Sequence, residues 1–160
     1  MTDSKCNVGV PMSESLKISK DDCPTTEEER ERMSQVPYRN AIGALMYLAT
    51  CTRPDIAYAV SVCASFMQDP GHKHWLAVKN IMAYVNTTTS RGLVYGERYS
   101  SDQWLNSIYI YTDADHAGNT DNRRSRTGYV TILNGGAVSW KTRMQDRVSI
   151  SSTEAEYYAL

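Results

Sequence analysis

The chain lacks the features of a membrane protein, of an exported protein and of a strongly basic protein that binds nucleic acid through its overall charge. Its 160 residues carry a formal net charge of −1, so no overall field attracts anionic partners. No apolar run approaches the roughly 20 residues that span a bilayer, and we expect no membrane partner. The first residues, MTDSKCNVGVPM, have neither a basic region nor an apolar one, so a signal peptide is not expected.

Cysteine pairs with the spacing of a metal site are also lacking. The four cysteines are Cys6, Cys23, Cys51 and Cys63. None forms a C-x-x-C pair, which argues against a zinc site. Reduced thiols are the simplest interpretation, and they predict an intracellular protein of the cytoplasm or nucleus.

The first half of the chain is predicted to be helical after a polar start. Residues 1–24 have little periodicity and are interpreted as an extended linker. Thr26 and Glu29 have capping-box spacing and predict a short, solvated helix. Residues 37–86 predict three helices with short connections. The apolar stripes proposed for these helices are Tyr38, Ala41, Ile42, Leu45 and Ala49; then Ile56, Val60, Cys63 and Met67; then Trp75, Val78, Met82 and Val85.

The second half has the pattern of strands. GLVYG (92–96) and RVSIS (147–151) predict short strands, and SIYIYTD (107–113) predicts a buried one. RTGYVTILNGGAVSW (126–140) predicts a hairpin whose turn is Asn134-Gly135. Ser151 and Glu154 predict the start of a final helix. The predicted fold class is therefore α+β, with a boundary between the halves at residues 95–107.

Four carboxylates near the predicted strand and final helix are the candidate chemical groups. Asp113 and Asp115 end an apolar strand, a frequent catalytic placement, although their spacing alone favours a polar turn. Glu154 and Glu156 point roughly 200° apart on a helix, so one can cap while the other faces the sheet. If Asp113 and one glutamate converge, their hard oxygen ligands suit Mg²⁺.

Basic side chains and histidines have weaker signals. Arg123, Arg124 and Arg126 form a compact cluster that fits either phosphate positioning or a solvated loop. His72 and His74 have the spacing of a metal pair, but no third ligand is near, and a surface at a helix N-terminus is the favoured interpretation. We assign no role to His116.

The order of longer motifs is more specific than any of these groups. YRNAIGALMYLATCTRPDIAYAV, HWLAVKNIMAYV, GLVYG and YTDADHAGNTDNRRSRTGYVTILNGGAVSWKTRMQDRVSISSTEAEYYAL follow one another. This ordered set of motifs resembles the Pol polyprotein of copia-type LTR retrotransposons over essentially the whole chain. The resemblance implies a helical reverse transcriptase thumb or connection region at 25–95. It also implies the N-terminal part of a truncated ribonuclease H-like domain at 107–160, whose mixed sheet begins with an antiparallel meander covered by its first helix.

The resemblance also implies roles for individual residues. Asp113 matches the first catalytic aspartate, and Glu156 matches the catalytic glutamate of the first helix. Both would bind Mg²⁺ or Mn²⁺, with Asp115 as a further possible ligand. Arg123, Arg124 and Ser125 match a D-x-R-R-S stretch with a structural or phosphate-facing role. His116 departs from the aromatic residue usual at its position.

The expected function follows from this resemblance. The parent protein would copy RNA into DNA and hydrolyse RNA in RNA–DNA hybrids with Mg²⁺. The later catalytic aspartates and the polymerase motif are absent from the sequence. We therefore expect a fragment that acts with the remainder of the Pol polyprotein and is inactive alone. The alternatives are a non-catalytic module that binds RNA–DNA hybrids or other nucleic acid, and a decayed transposon relic without function.

Overall fold

A computed structural model describes residues 9–13, 16–95 and 107–160. Helices and a three-stranded antiparallel sheet make the described chain α+β, as predicted. The chain divides into two compact units, one containing Met1–Cys51 and Asp55–Arg91 and the other Thr52–Pro54 and Gly92–Leu160. The division beside Arg91 falls just before the predicted boundary at 95–107, most of which lies outside the described residues.

The helical unit contains four α-helices and two short 3-10 turns. The helices are α1 (Glu27–Ser34), α2 (Tyr38–Cys51), α3 (Ala57–Ala64) and α4 (His72–Thr87), and the turns are Lys20–Asp22 and Pro54–Ile56. The predicted capping box starts α1, because Thr26 Oγ1 accepts from the Glu29 N–H at 3.3 Å while the Glu29 carboxylate accepts from the Thr26 N–H. No helix in the described ranges is long and apolar enough to cross a membrane.

The core of this unit follows the predicted apolar stripes of α2 and α3. Ile42, Leu45 and Ala49 are buried on one face of α2. Val60 and Cys63 are buried on α3, next to Ile56 in the preceding turn. Burying these side chains supplies the main stabilising term for a small helical unit.

The stripe predicted for α4 is confirmed in part, since Val78 is buried and both Trp75 and Val85 pack partly buried against the core. The structure buries His74, Ala77, Val78, Ile81 and Tyr84, whereas Met82 is 37% exposed. The buried face of the helix also includes polar atoms. Those atoms are satisfied, since the Tyr84 hydroxyl donates to Asp55 Oδ2 at 2.9 Å and the His74 ring bonds to backbone. A periodicity argument does not foresee such partners.

The described part of the predicted linker 1–24 packs against the helical unit. Ile18 is 7% exposed and belongs to the hydrophobic core. His74 Nε2 lies 3.0 Å from the Ser19 carbonyl, and Lys73 Nζ donates to Asp22 at 3.0 Å. The segment therefore contributes a core residue and two polar anchors to α4.

The second unit contains a meander of three strands. β1 (Ile108–Asp115), β2 (Arg126–Leu133) and β3 (Gly136–Met144) pair in the order β1-β2-β3, antiparallel throughout. The predicted hairpin turn is confirmed, with φ of 49° at Asn134 and 78° at Gly135. Positive φ at both positions is what a two-residue hairpin loop of type I′ requires.

Three predictions about strands are wrong. β1 is not a buried strand, because Ile108 and Ile110 are 65% and 64% exposed. The described residues of GLVYG are not a strand; Tyr95 instead donates from its hydroxyl to the Ala137 carbonyl at 2.7 Å. RVSIS is not a strand either, and its Ile150 N–H donates to the Glu154 carboxylate of the following helix.

Candidate nucleic-acid-processing site

Asp113 occupies an open position near the end of β1. Its cross-strand partner in β2 is Gly128, which has no side chain, and the Asp113 residue is exposed. The strand forms because β-branched and aromatic residues precede the aspartate. The carboxylate is thus accessible, with no neighbouring side chain directly opposite on β2.

Asp115 lies two residues later in a different setting. It pairs in register with Arg126 and is half-buried. A Cβ added at Gly118 would collide with the Asp115 carboxylate, so that carboxylate packs against the backbone of its own loop. Asp115 therefore contributes to the loop that follows β1, whereas Asp113 remains open.

The loop from 116 to 125 is held by its own polar side chains. Asn119 Oδ1 accepts from the Asp121 N–H at 2.9 Å, and Asn122 Oδ1 accepts from the Arg124 N–H at 3.0 Å. Arg123 adopts a φ of 59°, a left-handed conformation that favours glycine or asparagine. Its N–H donates to the Asn119 carbonyl at 2.8 Å, which offsets part of this strain.

The three predicted nucleic-acid-binding arginines lie in different environments. Arg123 is exposed and Arg124 is half-buried, both on the loop. Arg126, in β2, is only 8% exposed. A phosphate at this loop would therefore meet Arg123 and Arg124 more readily than Arg126.

Ser125 has a structural role in the same motif. It is fully buried, and its Oγ accepts from the Ala117 N–H at 3.1 Å. Its carbonyl accepts from the Gln145 N–H at 2.9 Å. The serine thus connects both ends of the loop to the residue that follows β3.

The final helix, α5 (Ser152–Tyr157), begins where the sequence predicts it to begin. Ser151 Oγ accepts from the Glu154 N–H at 3.1 Å, and Glu154 Oε2 accepts from the Ile150 N–H at 2.6 Å. Glu154 is therefore the capping glutamate, as predicted. Glu156 is exposed and takes no part in the cap.

The structure brings α5 into contact with β1, the strand that carries Asp113. Asp113 and Glu156 are thus on two elements that pack together, and both residues are exposed. Within the described ranges, no group of three or more histidine, cysteine, aspartate or glutamate side chains is arranged to hold a metal ion.

Two of the three histidines lie in α4 of the helical unit, and the third lies in the loop after β1. His72 is exposed, but His74 is fully buried, so the prediction of a surface position for His74 is wrong. His74 Nδ1 accepts from the Gly71 N–H at 2.8 Å, and its ring stacks on Phe66 with centroids 4.2 Å apart. These contacts make His74 a core residue of the helical unit. His116 is exposed.

Comparison with known proteins identifies the family. The Retrovirus-related Pol polyprotein from transposon TNT 1-94 of Nicotiana tabacum is 50% identical over 152 residues, which is 95% of this chain. That from transposon RE2 of Arabidopsis thaliana is 35% identical over 150 residues, or 94% of the chain. Secreted RxLR effector protein 161 of Plasmopara viticola is 44% identical over 128 residues, covering 80% of this chain and 87% of that protein. The chain belongs to the copia-type Pol polyprotein family.

The likeness covers a small part of the transposon polyproteins. This chain spans 11% of the tobacco Pol polyprotein and 10% of the RE2 Pol polyprotein. No protein-family model matches the chain. No solved structure matches it. The remainder of a Pol polyprotein is therefore the context in which its relatives carry this segment.

Sequence reasoning missed Gln145, which connects several parts of this Pol segment. Gln145 is 7% exposed, and its side chain bonds to β2, to α5 and to Ser149. It lies in the polar stretch KTRMQDR, where nothing in the pattern marks one residue as buried. No sequence signal would have identified it.

Proposed function

We propose that residues 107–160 form the N-terminal part of a ribonuclease H-like domain and that residues 25–95 belong to a reverse transcriptase thumb or connection region. Within the parent Pol polyprotein, the pair would serve RNA-directed DNA synthesis and hydrolysis of RNA in RNA–DNA hybrids, in the cytoplasm or nucleus. The observation that carries this proposal is the antiparallel meander with α5 packed on β1, since this arrangement places the strand of Asp113 against the helix of Glu156.

The donor set suits a divalent cation held weakly. Asp113 and Glu156 are exposed carboxylates, and such hard oxygen ligands suit Mg²⁺ or Mn²⁺. When bound, the metal would supply an activated water and stabilise a leaving oxygen in phosphodiester cleavage. A two-metal site needs more ligands than these two residues, so we expect negligible cleavage by this chain alone.

A metal titration tests the proposed site. Backbone NMR spectra of the full chain are recorded with increasing Mn²⁺, which broadens resonances near the bound ion. We expect broadening centred on Asp113 and Glu156 that is lost in Asp113→Asn and in Glu156→Gln. Asp146→Asn, which changes an exposed acid after β3, is the control and should leave the pattern unchanged. Broadening that persists in both site variants would rule out this metal site.

An activity measurement tests the expected inactivity. Purified chain is incubated with a labelled RNA–DNA hybrid and Mg²⁺, and products are resolved by electrophoresis. We expect no cleavage above background. Cleavage that disappears in Asp113→Asn would show that the chain is an active nuclease by itself, in contrast to our expectation.

A second candidate is a non-catalytic module that binds nucleic acid. The match to the Plasmopara viticola protein supports a segment that can occur outside a long polyprotein, because the matched region makes up 87% of that protein. The loop with Arg123 and Arg124 is held in one conformation by Asn119 and Asn122, which reduces the entropy cost of binding phosphate.

A salt series distinguishes this candidate. If Arg123 and Arg124 each neutralise one phosphate, replacing both by alanine should reduce the slope of log affinity against log salt by about two. Arg143→Ala, at an exposed position in β3, serves as the control with an unchanged slope. The absence of any hybrid gel shift at low salt would exclude the binding module.

A further inference from the structure

Gln145 is a buried amide at the junction of β2, β3 and α5. It follows directly after β3, and its Nε2 donates to Thr127 Oγ1 and to the Ala155 carbonyl, both at 2.9 Å. Its Oε1 accepts from the Ser149 hydroxyl at 2.9 Å. A carbonyl only accepts, so the contact with Ala155 fixes which end of the amide is nitrogen.

Two of the three partners of Gln145 lie close in register or in sequence to the candidate metal ligands. Thr127 is the cross-strand partner of Ala114, which follows Asp113 in β1. Ala155 directly precedes Glu156 in α5 and is fully buried. The Gln145 side chain therefore connects the part of β2 that pairs beside Asp113 to the turn of α5 that contains Glu156.

We propose that Gln145 is a positioning residue that sets the separation of Asp113 and Glu156. This inference rests on the proposed function, because it concerns the geometry of the proposed metal site. Gln145 itself would not touch the metal. It acts by holding α5 at a fixed place along β2.

The chemistry of the glutamine side chain explains why this residue suits the position. Its amide supplies two N–H donors to acceptors on two different elements and an acceptor for Ser149. Methionine has a similar volume but no donor. Glutamate would offer only acceptors and would bury a charge, at a substantial cost in free energy.

The Mn²⁺ titration of the full chain, extended to Gln145→Met, tests this inference. We expect Mn²⁺ affinity to fall by about tenfold, at the lower end of the effect of residues that orient metal ligands. The matched control is Gly135→Ala, which destabilises the hairpin at the turn, remote from Gln145 along β3. Measured well below the unfolding transition, that control should keep the affinity of the original chain.

Each other result has a definite meaning. Equal affinities for Gln145→Met and the original chain, with weaker binding in Glu156→Gln, would overturn the positioning role and leave the proposed function intact. Equal losses of Mn²⁺ affinity in Gln145→Met and Gly135→Ala would show that the effect comes from reduced stability, and would also overturn the positioning role. If neither Asp113→Asn nor Glu156→Gln weakens binding, the proposed metal site fails, and the positioning role fails with it.

A milder variant covers the case in which Gln145→Met does not fold. Thr127→Val preserves the shape of the side chain but removes the Oγ1 acceptor of one hydrogen bond from Gln145. We expect a smaller loss of Mn²⁺ affinity, about threefold, since one of two bonds to different elements remains. An unchanged affinity in the folded variant would contradict the proposal.

Discussion

The buried hydroxyl of Ser125 accepts a hydrogen bond from the backbone N–H of Ala117 at 3.1 Å, across the loop that follows β1. Ala117 has a φ of 52°, so this bond supports a conformation that alanine rarely adopts. Ser125→Ala would leave the Ala117 N–H without this acceptor. We expect the free energy of unfolding of the sheet unit to fall by about 1–2 kcal/mol, measured by hydrogen exchange of β2 and β3 amides.

Ser139 offers the matched control for this prediction. It lies exposed in β3, where the only described side-chain bond of its hydroxyl is a long one, 3.4 Å, to the Tyr129 hydroxyl. Ser139→Ala should change the free energy of unfolding by less than about 0.5 kcal/mol. An equal loss in the two variants would contradict the role given to Ser125.

The ion pair between Lys73 and Asp22 makes the helical unit sensitive to acid. Burial by itself would raise the pKa of Asp22, but the hydrogen bond from Lys73 and that from the Ser19 N–H lower it below its usual value. A lowered pKa gives stabilisation that is complete above the unfolded value near 4 and is lost as the pH falls through the folded value. We expect about 0.5 kcal/mol to be lost in this way.

Lys73→Met should remove much of this dependence on pH. The measurement is the free energy of unfolding by circular dichroism between about pH 6 and pH 2. Lys79→Met, at an exposed position on the same helix, is the control and should retain the original profile. Identical profiles for both variants would show that the ion pair contributes nothing measurable.

Two glycines should respond to alanine in opposite directions. Gly135 has a φ of 78°, so Gly135→Ala should destabilise the sheet unit by about 1 kcal/mol. Gly43 lies within α2, and a Cβ there meets nothing within 4 Å, so Gly43→Ala should stabilise the helical unit by about 0.5–1 kcal/mol. Hydrogen exchange, which reports each unit separately, provides the measurement. A loss of stability in Gly43→Ala would indicate a conflict in α2 that the structure does not show.

His74 should be among the most sensitive positions of the helical unit. His74→Ala removes a fully buried ring, its acceptor for the Gly71 N–H and its bond to the Ser19 carbonyl. We expect a loss of about 3 kcal/mol in the free energy of unfolding. Thermal and urea unfolding should show a much smaller effect for His72→Ala, because His72 is exposed.

The features that were predicted correctly from the sequence are determined by interactions between residues close together in the chain. The capping box of Thr26 and Glu29, the Asn134-Gly135 turn and the Ser151 cap each depend on residues within a few positions of one another. The α2 stripe also follows from spacing alone. Such features are visible in a linear pattern because their physical determinants are adjacent in the chain.

The errors have a different origin, since they depend on partners distant in sequence. His74 is buried because the Ser19 carbonyl lies 55 residues earlier to receive it. Gln145 is buried because Thr127 and Ala155 supply acceptors from other elements. For the candidate site, the sequence placed Asp113 and Glu156 on a strand and a helix, and the structure adds that these elements pack together. Their metal-binding role remains a proposal.

Tyr95 packs its ring against Gly136, where a Cβ would collide with the ring. Its hydroxyl also bonds to the Ala137 carbonyl beside the hairpin turn. Positions 95 and 136 are therefore sterically coupled, and only one of the two residues can be large. A sequence library of this hairpin should vary the two positions jointly, because a side chain introduced at 136 alone would displace the Tyr95 ring.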